Sequence, residues 1–231
     1  MTLRPWARRI AAGTVSTTAL VALAAPAEAA TSTTDTASTT SRAGTASPAS
    51  ASTAGTATRA AAEAAAQDVD YNTWQRDCQA VMDQALPYLK QRIANTRPGE
   101  KQAIVFDIDN TTLETDFGFS YPQPANAPVL EVAEYAQERG VSLFFVTARP
   151  GIVYPFTDFN LEHSGYEVSG LYVRGFLDLF KNVADYKTAQ RVDIERKGYT
   201  IIANIGNNTT DLSGGHAEKT YKLPDYDGQL S

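Results

Sequence analysis

Two patterns alternate along the chain from about residue 100 onward. Short, continuous apolar runs such as AIVF, LFFV and TIIA are typical of strands buried on both faces of a sheet. Longer helix-like stretches lie between them and end at or near glycines. Strands are predicted at 103–108, 142–148, 171–174, 200–206 and 219–223, and helices at 128–139, 151–163 and 186–197. This alternation predicts an α/β fold, in which helices flank both faces of a parallel sheet.

A further helix is predicted ahead of the first strand, over residues 71–93. Its apolar residues fall at spacings of three and four: Trp74, Cys78, Val81, Ala85 and Leu89. Pro87 lies inside this stretch and is expected to kink the helix or to divide it in two. A turn is predicted over 95–100, which leads into the first strand.

The amino-terminal region has the composition of an export signal followed by a linker. Three arginines precede a short apolar stretch, and Ala27-Glu28-Ala29 fits the small-x-small cleavage rule. The apolar stretch is short and diluted by Thr and Ser, which disfavours a stable membrane span. We therefore expect a cleaved signal over 1–29, a disordered Ala/Thr/Ser-rich spacer over 30–67, a folded domain over 68–231, and a secreted protein.

The net charge narrows the classes of binding partner, and the cysteine content excludes a disulfide within the chain. Residues 1–29 contain three arginines and one glutamate, a net charge of +2, so the rest of the chain carries −8 against a total of −6. An acidic chain disfavours binding to nucleic acid backbones and to anionic membranes. Cys78 is the only cysteine, so no disulfide can form within the chain. The oligomeric state is left open.

Charged and polar residues follow the predicted strands. Burying a carboxylate at the end of a strand costs several kcal/mol of folding free energy unless the group is paired or binds a cation. Even a neutral polar group without a hydrogen bond costs about 2–7 kcal/mol. In open parallel sheets, ligands bind beyond the carboxyl ends of the strands. The candidate functional residues are Asp107, Asp109, Thr111, Thr147, Arg149, Lys187, Asn207 and Asp211. We expect them to converge at one edge of the sheet.

Four motifs in this order resemble the haloacid dehalogenase (HAD) superfamily of phosphohydrolases. They are DIDNT, FVTARP, DYKTAQR and IGNNTTDL, at positions that match the four motifs of that superfamily. More narrowly, the chain resembles the subfamily IIIB acid phosphatases, which include the plant acid phosphatase and vegetative storage group and secreted bacterial members. The resemblance covers about 68–223. It implies a Rossmann-like sheet with a minimal cap and a phosphatase that acts on small phosphomonoesters, with an acidic pH optimum.

The resemblance also implies roles for the two aspartates of the first motif. Asp107 would attack phosphorus and form an aspartyl-phosphate. Asp109 would protonate the leaving alcohol and then activate the water that cleaves the acyl phosphate. A magnesium ion would be held by oxygen ligands. Its predicted ligands are Asp107, the backbone carbonyl of Asp109, Asn207 and Asp211.

The remaining motif residues would bind the substrate. Thr147 and Lys187 would hold the phosphoryl oxygens, and Arg149 is a candidate substrate contact. Structural alternatives remain for each of them. Thr147 could cap a helix, Lys187 could be a solvated helix charge, and Arg149 could pair with an acidic residue. Asp211 could be the N-cap of a short helix.

Asn207 departs from the family pattern, which has an aspartate at this position. An amide oxygen can still bind a hard cation, but without charge, so weaker metal binding follows as a hypothesis in which Asp211 carries more of the site. Short segments after the first two strands leave no room for a large cap domain, which predicts an open site. The aromatic residues of 117–122 could line its entrance or pack against the sheet.

Three other functions remain compatible with the sequence. The same fold could support phosphoryl transfer or a nucleotidase. The chain could be a storage or binding protein with a weakened site, as Asn207 suggests. The spacer over 30–67 could also be the functional part of a surface protein.

Overall fold

The structure, a computed structural model, describes residues 69–230. The predicted signal over 1–29 and the spacer over 30–67 lie outside the described residues. Among residues 69–230, no helix is both long and apolar enough to cross a membrane.

The centre of the fold is a five-stranded sheet in which every neighbouring pair of strands is parallel. The strands are β1 (Lys101–Phe106), β2 (Ser142–Pro150), β3 (Val168–Arg174), β4 (Tyr199–Gly206) and β5 (Thr220–Lys222), in the order β3-β2-β1-β4-β5. The strand order reverses at β1, so the chain leaves β1 at the switch point where ligands bind in such sheets. The predicted parallel α/β fold is confirmed.

Within residues 69–230, five α-helices and two short 3₁₀ helices surround this sheet. The α-helices are α1 (Tyr71–Ala94), α2 (Ala127–Gln137), α3 (Tyr154–His163), α4 (Val183–Arg196) and α5 (Thr209–Leu212). The 3₁₀ helices are Gly151–Val153 and Phe176–Phe180. Residues 107–126 form neither a helix nor a named strand, so the cap over the sheet edge is minimal, as predicted.

Helix α1 runs without interruption through Pro87, so the expectation that proline divides it in two is wrong. Asp70 caps its first turn by accepting a hydrogen bond from the backbone N–H of Thr73. Its buried face consists of Trp74, Cys78, Met82, Ala85 and Leu89. Met82 therefore occupies the place that the helical spacing had assigned to Val81, which is only partly buried.

Alternate side chains of β1 point to two separate apolar cores. Ile104 and Phe106 belong to the larger core, together with the buried face of α1 and residues of α2. Ala103 and Val105 belong to the smaller core on the other side of the sheet, which includes Ile194 of α4. Both faces of β1 are thus covered by helices, which explains the continuous apolar run in its sequence.

The boundaries of α4 and the shortest elements differ from the sequence prediction. Helix α4 begins three residues earlier than predicted because Asn182 caps it and accepts hydrogen bonds from the backbone N–H groups of Ala184 and Asp185. Helix α5 and the 3₁₀ helix Phe176–Phe180 were not predicted; five residues or fewer carry too little periodicity to be recognised.

Candidate active site

A cavity of about 300 Å³ opens at the carboxyl edge of the sheet, where β1, β2 and β4 end. Its lining comes from the segments that follow β1 and β4, from Ala148 near the end of β2, and from the start of α4. The lining residues are Asp107, Asp109, Ala148, Val183, Lys187, Asn207, Asn208, Thr210 and Asp211. The convergence that the motif order predicts is therefore present for five of the candidate residues: Asp107, Asp109, Lys187, Asn207 and Asp211.

Lys187 lies between two buried carboxylates. Its Nζ atom is 2.5 Å from Oδ1 of Asp107 and 2.5 Å from Oδ1 of Asp211. All three residues are at least 94% buried. The alternative reading of Lys187 as a solvated helix charge is wrong, because the ammonium group is the counterion of both acids.

Burial and charge pairing oppose each other in this cluster. Burial raises the pKa of Asp107 to about 7, and the nearby Lys187 ammonium opposes this rise by favouring the carboxylate. Burial tends to lower the pKa of Lys187, but the charges of Asp107 and Asp211 outweigh it and leave the pKa raised. Lys187 is therefore a fixed positive charge beside the cavity.

Asp211 is oriented by the short helix α5. Asn208 is the N-cap of this helix, and Asp211 completes the capping box by accepting a hydrogen bond from the backbone N–H of Asn208 at 2.8 Å. The alternative that Asp211 is itself the N-cap is wrong. Gly206 makes this arrangement possible, since a Cβ atom there would lie 2.5 Å from Cβ of Asp211.

Asp109 is held by Arg149 rather than left free in the cavity. Arg149 donates from Nη2 to Oδ1 of Asp109 at 2.7 Å and from Nε to both carboxylate oxygens at 3.1 Å. The hydroxyl of Thr115 donates to the same carboxylate at 3.0 Å, and Gln123 accepts from Nη2 of Arg149. The alternative that Arg149 pairs with an acidic residue is thus what the structure shows.

Thr147 is completely buried, and its hydroxyl lies 3.5 Å from Oδ2 of Asp109. It also accepts a hydrogen bond from the backbone N–H of Arg149. The nearest helical segment begins only at Gly151, so Thr147 is not a helix cap. Its contacts instead fix the end of β2 against the Asp109 carboxylate.

A second cavity, of about 360 Å³, lies beside the first, and Asp109 borders both. Its lining consists of Asp109, Thr115, Ser120, Tyr121, Gln123, Arg149, Val153, Phe156 and Thr157. The aromatic residues of 117–122 have different positions. Tyr121 lines this cavity, Phe117 stacks on Trp74 with ring centroids 4.3 Å apart, and Phe119 is fully exposed.

Asn207 is tied to two other parts of the chain. Its backbone N–H donates to the hydroxyl of Thr111 at 3.1 Å, and that hydroxyl lies 3.4 Å from its side-chain Oδ1. Its side-chain Nδ2 donates to the backbone carbonyl of Leu230. Thr111 therefore connects the first and fourth motifs, although it does not line the cavity.

The donor chemistry of the cavity suits a hard divalent cation. Within residues 69–230, no group of three His, Cys, Asp or Glu residues could hold a metal ion. The carboxylate of Asp107 and the amide of Asn207 nevertheless border the same cavity as Asp109, and oxygen ligands of this kind are what magnesium prefers. Asn207 provides an oxygen that a count of acidic residues overlooks.

Several residues of the site were not predicted. Asn208, Thr210 and Val183 line the cavity, and Gln123 and Leu230 hold Arg149 and Asn207 in place. Asn208 and Thr210 lie within the fourth motif and could have been found there. Gln123 and Leu230 carry no signal in the sequence, because their contacts depend on the path of the folded chain.

Comparison with known proteins places this chain in a family. Residues 26–229 match the HAD superfamily, subfamily IIIB (acid phosphatase). Two curated relatives from Glycine max, the Stem 28 kDa and Stem 31 kDa glycoproteins, are each 29% identical over 186 residues, which is 70% of this chain. The chain spans 72% of the length of the first and 62% of the second.

Solved structures share the fold. The class C acid phosphatase from Bacillus anthracis superimposes with a TM-score of 0.54 at 17% identity, over 68% of this chain and 80% of that one. The same enzyme with tungstate bound gives a TM-score of 0.53 at 16% identity, with the same coverage. The family match extends over most of the chain, and the chain belongs to the HAD superfamily, subfamily IIIB, the acid phosphatases.

Proposed function

We propose that this protein hydrolyses small phosphomonoesters through an aspartyl-phosphate on Asp107. The observation that carries the proposal is the position of the buried Asp107 carboxylate, which borders the first cavity with Lys187 at 2.5 Å. Asp109 borders the same cavity and the neighbouring one. A nucleophile and an acid/base thus share one space large enough for a phosphoryl group.

In the first step, a carboxylate oxygen of Asp107 attacks phosphorus, and the bond from phosphorus to the leaving oxygen breaks. Asp109 gives its proton to that oxygen, so the product leaves as a neutral alcohol. Lys187, which lines the first cavity, is proposed to hold a phosphoryl oxygen. Thr147 is completely buried and does not line that cavity, so its contact with the phosphoryl group stays a prediction. The leaving group would lie in the second cavity, since Asp109 faces it, and Arg149 keeps the carboxyl group turned in that direction.

In the second step, water attacks the phosphorus atom of the aspartyl-phosphate. Asp109 accepts the proton of that water, the bond from Asp107 to phosphorus breaks, and phosphate is released with the carboxylate restored. The contacts from Arg149 and Thr115 fix Asp109 for both steps. The same side chain therefore acts as acid and then as base without changing place.

The cation that we propose is Mg²⁺, held by Asp107, the backbone carbonyl of Asp109, Asn207 and Asp211. When bound, it supplies positive charge that offsets the crowding of carboxylates and phosphoryl oxygens. Both oxygens of Asp211 already have partners, Lys187 and the backbone N–H of Asn208. Asp107 and Asn207 are therefore the better-placed side-chain ligands.

Three further parts of the proposal rest on the sequence and on relatives. Tungstate, bound in the class C acid phosphatase from Bacillus anthracis, is an oxyanion like phosphate, which supports an oxyanion site in this fold. An acidic pH optimum is proposed because the chain belongs to the acid phosphatase subfamily. Export and cleavage of the signal over 1–29 would be tested by sequencing the amino terminus of the secreted protein.

The direct test is hydrolysis of an aryl phosphate by the full chain at several pH values, with Mg²⁺ and then with excess chelator. Asp107→Asn should abolish turnover. It should also abolish the acid-stable phosphoenzyme that we expect to trap in the parent protein by rapid quenching. Asp83→Asn, on the exposed face of α1, is the matched control and should retain full activity. Full activity of Asp107→Asn, or hydrolysis that is unchanged by excess chelator, would refute the mechanism.

The second candidate function is a storage or binding protein with a weakened site. Asn207, in the place where the family pattern has an aspartate, is the observation that favours it. That candidate predicts phosphate binding without turnover at any pH or divalent cation. Phosphoryl transfer to an acceptor alcohol would instead appear as a phosphorylated acceptor in the same assay, at the expense of free phosphate.

A further inference from the structure

The segment 225–230 is packed against the body of the protein by contacts at both of its ends. Leu230 is 96% buried and belongs to the larger apolar core. Its backbone N–H donates to the carbonyl of Asp225 at 3.1 Å, which closes the segment into a compact turn. The hydroxyl of Tyr226 donates to Asp77 of α1 at 2.7 Å. The carboxyl-terminal turn 225–230 is therefore packed and hydrogen-bonded as part of the folded domain.

The same turn reaches the candidate cation site through Asn207. The side-chain Nδ2 of Asn207 donates to the carbonyl oxygen of Leu230. A carbonyl can only accept, so it must face the nitrogen end of the amide. The oxygen end is then fixed on the other side, where Oδ1 lies 3.4 Å from the hydroxyl of Thr111. Leu230 thus determines that Oδ1, and not Nδ2, is the end of the Asn207 amide turned toward Thr111 and the first motif.

An aspartate could not make this arrangement. Both oxygens of an ionised carboxylate are acceptors, so one of them would face the Leu230 carbonyl without a hydrogen between them. Buried acceptors that face each other lose a hydrogen bond and add repulsion. The amide at position 207 is therefore matched to the carboxyl-terminal turn, and the departure from the family pattern has a local physical reason.

We infer that the carboxyl-terminal turn 225–230 is a positioning element for the cation site, because Leu230 fixes Asn207 so that its Oδ1 is presented as a neutral ligand. This inference rests on the proposed function, since it concerns the same Mg²⁺. The coupling is reciprocal: if docking of the turn favours cation binding, cation binding must favour docking by the same factor. Asn207 acts on the cation, and Leu230 acts through Asn207.

Two measurements on the full chain test this inference without substrate. The first is Mg²⁺ affinity by calorimetry, and the second is hydrogen exchange of the peptide that covers 225–230, by mass spectrometry. Tyr226→Phe removes the bond to Asp77, and neither of these residues lines the cavity. The substitution should both speed exchange of the turn and weaken Mg²⁺ binding about fivefold or more. Mg²⁺ should slow exchange of the turn in the parent protein.

Asn207→Asp tests the match between the amide and the Leu230 carbonyl. Without Mg²⁺, Asn207→Asp should speed hydrogen exchange of the turn. The control is Asn208→Asp, which adds the same charge one residue along and can still cap α5. This control should leave exchange of the turn unchanged. A turn equally protected in Asn207→Asp and the parent would overturn the inference.

Two further outcomes separate this inference from the proposed function. Faster exchange in Tyr226→Phe with unchanged Mg²⁺ affinity would overturn the inference, because the turn would then be structural only. Absence of aryl phosphate hydrolysis by the parent, with the expected coupling intact, would count against the proposed function and leave the positioning role standing.

Discussion

At the scale of single residues, the site depends on charged side chains whose positions are fixed by partners. The planar guanidinium group of Arg149 donates hydrogen bonds to both carboxylate oxygens of Asp109. The ammonium group of Lys187 bridges Asp107 and Asp211. The geometry of an arginine fork matches a carboxylate in a way that a lysine ammonium cannot. The orientation of the proposed acid/base is thus a property of Arg149 as much as of Asp109.

Arg149→Lys keeps the positive charge and removes this fork. We expect the kcat for an aryl phosphate to fall about tenfold or more, because a loosely oriented acid/base loses part of its usual 10²–10⁴-fold contribution. The measurement is steady-state kinetics alongside thermal unfolding. Arg139→Lys, in the exposed turn that follows α2, is the matched control and should change neither quantity. An unchanged kcat in Arg149→Lys would show that the fork has no role in catalysis.

The sequence predicted which charged residues would meet but not how they would be paired. Asp107, Asp109 and Lys187 could be placed because each follows a strand or begins a helix in a recognised motif. Their partners could not be assigned, since the contact of Arg149 with Gln123 and that of Asn207 with Leu230 depend on loops without periodicity. Such contacts are set by tertiary packing alone.

At the scale of elements, an ion-pair network joins α1 to the segments that precede β1 and β5. Arg92, near the end of α1, contacts Glu100 just before β1 and Glu218 just before β5. The side chains of Arg92 and Glu100 are largely buried, and Glu100 also accepts from the backbone N–H of Arg97. Hydrogen bonds from Arg92, followed by that of Arg97, lower the pKa of Glu100 to about 2.

This network predicts how stability depends on pH. The pKa of Glu100 in the folded state is below its ordinary value of 4.5, so its stabilisation is complete above that pH and is lost as pH falls toward about 2. Glu100→Gln should lower the free energy of unfolding at pH 7 by roughly 1–2 kcal/mol and flatten its decline across that window. Denaturant unfolding at several pH values measures both effects.

The exposed Glu131 of α2 provides the control for this prediction. Glu131→Gln should follow the parent at every pH. If Glu100→Gln also loses stability as steeply as the parent between about pH 4.5 and 2, another group governs the acid transition.

The elements themselves were predicted to different extents. The central strands and α1 could be recognised because their burial produces long periodic or continuous apolar patterns. Strand β3 was predicted from 171 but begins at Val168, since Ser169 and Gly170 interrupt its apolar pattern. A Cβ atom on Gly170 would lie 2.8 Å from the ring of Phe144, so packing with β2 favours glycine there.

At the scale of the whole molecule, the described part of the chain is held together by its two apolar cores without a covalent cross-link. Cys78 is the only cysteine of the sequence and is completely buried in α1. Burial raises the pKa of its thiol to about 12, although a hydrogen bond from Asn126 partly opposes the rise. The reactive thiolate is therefore scarce in the folded protein at neutral pH.

Alkylation of Cys78 should accordingly report global unfolding. We expect negligible labelling by iodoacetamide in native buffer, rapid labelling in denaturant, and a Tm that a reducing agent does not change. Mass spectrometry after timed quenching gives the extent of labelling. Fast labelling under native conditions would mean that α1 opens locally, and the two apolar cores would then not unfold as one unit.

The long sequence separations within the site have a consequence for its synthesis. Asp107 bonds to a lysine 80 residues later, and Thr111 bonds to an asparagine 96 residues later. A ribosome makes the proposed nucleophile first and its counterion Lys187 and the proposed metal ligand Asn207 much later, so a nascent chain holds Asp107 without these partners. On the proposed mechanism, phosphate ester cleavage therefore requires a chain that has been made and folded at least through Asp211.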